Sequence, residues 1–120
     1  MTVRPTLSTA WAVVLTWVLV ACGGSPSKPA TTGLTVDVSI ANGQVMPANA
    51  TLQAKVREQI TLKVSSDAAD ELHVHSVPDH KFQVAAAPNQ TFQFSVDVPG
   101  NVDVELHHLK RTIATIQVRP

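Results

Sequence analysis

The residues of this 120-residue chain best suited to chemistry are five histidines, all between positions 73 and 108: His73, His75, His80, His107 and His108. On a β-strand successive side chains alternate faces, so His73 and His75 share one face while Leu72 and Val74 take the other. Neutral imidazoles at that separation can share one borderline metal ion such as copper or zinc. His107 ends a run in which Asp103 and Glu105 hold alternate positions, and His108 follows it directly. Glu71, Asp79 and Glu105 stand near the imidazoles in sequence and are candidates to orient their rings from behind. A His-x-His pair on the wet face of a strand also fits a solvated surface that binds nothing. The cluster alone does not separate the two readings.

Little else in the chain carries chemistry. There is no Gly-rich phosphate loop, no Gly-x-Ser-x-Gly elbow and no His-Glu-x-x-His. The single cysteine, Cys22, belongs to a different task, so the residues do not read as an enzyme. Nine basic and nine acidic side chains, without a basic block, argue against a nucleic-acid partner. An apolar content of 44% with 15% charged residues also argues against disorder.

Elements that position the histidines lie well downstream of an N-terminal leader. Arg4 precedes Ala10–Ala21, a stretch whose only polar member is Thr16. That is the length of a secretory signal core, and it is shorter than the roughly 20 residues that span a bilayer. It runs into Leu19-Val20-Ala21-Cys22-Gly23, which resembles a bacterial lipobox. The resemblance implies a signal peptide over 1–21, cleaved ahead of a lipidated Cys22, and anchoring to a membrane by several acyl chains. Residues 22–33 are small, polar or proline-bearing and read as a flexible tether. The folded domain is then 34–120, with a formal charge of −1 once Arg4 is gone and no second cysteine for an internal disulfide.

That domain reads as all-β. Leu34/Val36/Val38/Ile40 alternate with polar residues and end at Ala41-Asn42-Gly43, a hairpin signal. The alternation returns at Ile60/Leu62/Val64, Leu72/Val74, Phe92/Phe94/Val96, Val102/Val104/Leu106 and Ala114/Ile116/Val118. Short strands separated by turn residues point to an antiparallel sandwich or barrel.

Three stretches sharpen this: Ile60–Asp67, Asp70-Glu71-Leu72-His73-Val74-His75, and Val98-Pro99-Gly100 running to Leu106-His107. Together they resemble the cupredoxin-like domains of bacterial lipoproteins and secreted proteins, the plastocyanin and azurin superfamily, in a subgroup with an Asp-Glu-x-His-x-His signature. The resemblance implies a Greek-key β-sandwich of seven or eight strands. It also implies a metal site in which His73, His75 and His107 converge at one pole, with His80 and His108 in reserve. The sequence departs from the blue-copper pattern: six residues beyond Gly100, where that pattern places a cysteine, stands Leu106, and His107–Thr112 holds no methionine. Without thiolate the expected site is one of nitrogen and oxygen, suited to Cu(II) before Zn(II), and blue-copper electron transfer is argued against. Met46, the only methionine after the leader, does not make a Met-rich Cu(I) carrier. The expected role is metal handling by an exported lipoprotein at the outer face of the membrane. The alternative is a metal-free β-sandwich interaction module.

Replacing Cys22 by serine is expected to abolish lipid attachment. Metabolic labelling with palmitate should mark the parent chain in the membrane fraction and leave Cys22→Ser unlabelled, and equal labelling would overturn the lipobox reading.

Overall fold

The computed structural model describes residues 2–3 and 33–120. The proposed cleavage site, Cys22 and the tether up to residue 32 lie outside the described residues. Nine strands form: β1 (Leu34–Ala41), β2 (Gln44–Met46), β3 (Ala50–Lys55), β4 (Ile60–Ser66), β5 (Asp70–Val74), β6 (His80–Val84), β7 (Gln90–Phe94), β8 (Gly100–Leu106) and β9 (Arg111–Arg119). They make two sheets, ordered β2-β1-β4-β7 and β3-β9-β8-β5-β6. The chain passes repeatedly from one sheet to the other, and the inward faces of both build one core.

The β-sandwich is as expected, with two differences of detail. Among the described residues there are nine strands rather than seven or eight, and the sheets are mixed rather than wholly antiparallel. β1 runs parallel to β4 over seven residue pairs, Leu34↔Ile60 to Ile40↔Ser66, and β3 runs parallel to β9. Parallel neighbours need a long crossover. The chain between β1 and β4 provides it by forming the β1–β2 hairpin and then sending β3 to the opposite sheet. Asn42 and Gly43 close that hairpin with φ of 53° and 71°, the left-handed pair that a two-residue hairpin turn requires.

Alternation does most of the packing. Val36, Val38 and Ile40 of β1, Ile60, Leu62 and Val64 of β4, and Val102, Val104 and Leu106 of β8 are all buried. In β9 the rhythm breaks once. Val104 pairs with Ala114 and Glu105 with Thr112, so Ile113 is an extra residue, and Ile113 and Ala114 are both buried. Such a bulge bends the strand and increases its twist.

The one buried charged side chain among the described residues is Asp70, at the head of β5. Its Oδ1 accepts the backbone N–H groups of Glu71 (2.7 Å) and His108 (2.8 Å), and its Oδ2 accepts that of Leu109 (3.1 Å). The carboxylate thus supplies the partners that the tight β8–β9 turn cannot find within itself. A buried N–H left without a partner costs about 1–3 kcal/mol. Asp70→Ala is therefore expected to lower unfolding stability by at least that amount in urea denaturation, with Asp70→Asn less damaging because its amide oxygen still accepts. An alanine variant as stable as the parent would show that the turn does not depend on this carboxylate.

Candidate metal centre

β5 is a central strand of its sheet, with β8 on one side and β6 on the other. Asp70, Leu72 and Val74 point into the core, so Glu71 and His73 emerge on the outer face and His75 follows just past the strand end. The two imidazoles come together there, with ring centroids 3.9 Å apart and planes tilted by 43°. His73 is 25% exposed and His75 45%, so one ring is half sheltered by its neighbours while the other is open to water.

Each ring has its own carboxylate. His73 Nε2 lies 3.2 Å from Asp79 Oδ2, in the β5–β6 loop, and His75 Nε2 lies 3.0 Å from Glu105 Oε2 on β8. Of the three carboxylates expected near the imidazoles, Asp79 and Glu105 therefore reach them. Glu71 instead accepts a hydrogen bond from the Gln83 side chain. Lys81 pairs in register with His73 on the β6 side, and Glu105 on the β8 side. The backbone of His75 is fixed too, its N–H donating to the Asp103 carbonyl at 2.9 Å. Beside it, Val77, Val98 and Pro99 help line a groove of 170 Å³. A larger groove of 740 Å³ lies on the other sheet, among Asp37, Met46, Lys63 and Ser65, and holds no imidazole.

The remaining histidines are placed elsewhere. His107 donates its backbone N–H to the Glu71 carbonyl, while His75 sits against Asp103. Along β8, His107 thus lies four positions from the level of His75, on the order of 13 Å, and two positions from Glu105, the register partner of His73, on the order of 7 Å. His107 and His108 meet each other edge-on, with centroids 5.4 Å apart, in the β8–β9 turn. His80 is turned the other way. Its ring lies parallel to Phe82 at 6.1 Å and near Phe94 at 5.5 Å, and its Nε2 donates to the Ser95 carbonyl at 3.1 Å. Because β6 and β7 are edge strands of opposite sheets, His80 ties the open side of the sandwich together. Among the described residues no three His, Cys, Asp or Glu side chains are arranged around a single metal position.

Leu106, at the place of the blue-copper cysteine, is 1% exposed and pairs in register with Leu72. An apolar side chain in the core is no ligand, so the residues present do not fit a thiolate copper site. They fit a two-nitrogen site on the sheet face better, with carboxylates behind the rings. Asp70, quoted in the Asp-Glu-x-His-x-His stretch, has a structural role that the sequence reading did not assign. Its only local signal is a carboxylate at an inward position of the Leu72/Val74 alternation.

No family model and no curated relative matches the chain. Among solved structures it is similar to the Cu(I) form of a single-residue variant of amicyanin, at 15% identity over 73% of this chain and 83% of that one, with a TM-score of 0.51. It is similar to an oxidized amicyanin variant at 14% identity over 78% and 88% of the two chains, with a TM-score of 0.51. Dithionite-reduced auracyanin from the photosynthetic bacterium Roseiflexus castenholzii aligns at 9% identity over 74% of this chain and 99% of its own, with a TM-score of 0.52. At such identities the likeness speaks for the fold, and amicyanin and auracyanin are both cupredoxins. The fold formed by β1–β9 is cupredoxin-like.

Proposed function

We propose that this domain binds a copper-type ion through His73 and His75, and that the protein serves metal handling as an exported lipoprotein anchored through Cys22 at the outer face of a bacterial membrane. The observation that carries the reading is the meeting of two imidazoles, 3.9 Å between centroids, each backed by a carboxylate. Carboxylate-backed imidazole is the usual form of a metal-ligating histidine. Copper is favoured over zinc because the fold is that of copper proteins such as the Cu(I) amicyanin variant. A bound ion would supply Lewis acidity, while the chain's own groups hold it and leave part of its shell to water.

Blue-copper electron transfer is not part of the proposal. That chemistry needs a thiolate in a trigonal site, and Leu106 fills its place with core packing. One observation favours a second reading, a metal-free interaction module: Val77 and Val98 are exposed apolar side chains on adjoining loops. A partner that binds equally well after all five histidines are replaced by alanine would support it.

The first reading predicts that the purified full chain takes up about one Cu(II), with a nitrogen-rich EPR spectrum and no intense blue absorption. His73→Ala and His75→Ala should each weaken binding by at least tenfold in calorimetric titration, with His107→Ala within a few-fold of the parent. Affinity should fall as the solution is acidified, because protons compete with the ion for imidazole nitrogen. Unchanged affinity in both His73→Ala and His75→Ala would defeat the proposal.

A further inference from the structure

We infer that Asp79 and Glu105 decide which nitrogen of each imidazole meets the ion, and that they make the site one for divalent cations. The inference rests on the metal-binding reading above and adds to it the identity of the ligand atoms and the class of ion.

A carboxylate only accepts hydrogen bonds, whereas a neutral imidazole carries one N–H and one lone pair. With Nε2 of His73 against Asp79 at 3.2 Å and Nε2 of His75 against Glu105 at 3.0 Å, the proton of each neutral ring belongs on Nε2. Both lone pairs then reside on Nδ1. The two rings adjoin, with centroids 3.9 Å apart, so the Nδ1 atoms freed by the carboxylates belong to neighbouring side chains. The carboxylates come from different places, a loop and a neighbouring strand, so each ring is fixed independently.

Charge points to the class of ion. Asp79 and Glu105 bond the rings directly, and Glu71 and Asp103 occupy the outer face of β5 and β8, against one cation on β5, β6 and β8, Lys81; Lys55 and Arg119 lie farther across the sheet on β3 and β9. Coulomb attraction to such a set is twice as strong for a dication as for a monocation at the same distance. Soft sulfur donors, which favour Cu(I), are missing from this face; Met46 is on β2 of the other sheet. The face therefore holds Cu(II) or Zn(II) in preference to Cu(I).

The test uses nitrogen-15 NMR of the histidine side chains in the metal-free full chain, followed by Zn(II), Cu(II) and Cu(I) titrations. Both His73 and His75 are expected in the Nε2–H form. Asp79→Ala should relax that preference at His73 alone, and Glu105→Ala at His75 alone, with the backbone amide spectrum otherwise retained. Each replacement should lower Zn(II) and Cu(II) affinity by about ten- to a hundredfold. An Nδ1–H form in either parent ring, or Cu(I) bound as tightly as Cu(II), overturns the inference. Binding that survives both carboxylate variants but is lost in His73→Ala overturns it alone. A parent chain that binds neither divalent ion overturns it together with the metal-binding reading.

Discussion

Strand β5 is held in register by what it buries. Leu72 is paired between Leu106 of β8 and Phe82 of β6, and Val74 between Val104 and His80. Leu72 and Val74 are both fully buried. A slip of one residue would drive His73 into the core and put Leu72 in water, because a strand's side chains alternate with a period of two. The register that suits the core is thus the one that sets His73 and His75 side by side outside it. Glu105 follows from the same constraint: it is directly opposite His73 and so within reach of His75 along the face.

The end of the sandwich at the β8–β9 turn is organised differently. In a thiolate copper protein the strand before this turn would deliver a ligand. Here Leu106 delivers packing, and the turn beyond it is fastened by the buried Asp70 through the N–H groups of His108 and Leu109. A turn whose backbone is committed to an internal carboxylate is a closed structure. His107 and His108 ride on it as a pair. Imidazole chemistry is therefore divided between a strand face and a turn.

How far this was legible in the sequence depended on whether a residue's role follows from its own neighbours. Leu34–Ile40, Ile60–Val64 and Val102–Leu106 could be read because apolar and polar residues alternate there without exception, and Leu106 was correctly expected to face inward. β6 escaped notice because its first inward residue is His80, which breaks the apolar rhythm although it packs against Phe82 and Phe94. β3 escaped because only Ala54 in it is fully buried, and β2 is three residues long. The pairing of His73 with His75 needed only strand periodicity. The position of His107 needed the offset between β5 and β8, which no local pattern encodes, so its expected convergence with the other two was beyond what spacing alone decides. Parallel pairing of β1 with β4 is hidden for the same reason: alternation fixes a face, never a neighbour or a direction.

Under the proposed function, the two ligands stand two residues apart, on β5 and just past its end, and this bears on what such a site does well. The backbone of both donors is already fixed by β5, its neighbours and the bond from His75 to Asp103, so little main-chain freedom is lost when an ion arrives. The rings are pre-oriented by carboxylates that are themselves about half exposed, at 53% for Asp79 and 42% for Glu105. Water consequently reaches the site from the outer side, and the ion's remaining positions are open to solvent and to incoming ligands. An electron-transfer centre gains from enclosure and from a thiolate that keeps its geometry the same in both oxidation states. A site on an open sheet face, with neutral nitrogen donors and no sulfur, favours capture and release of a divalent ion. Under the proposed function, these physical terms favour handling of metal over conduction of electrons.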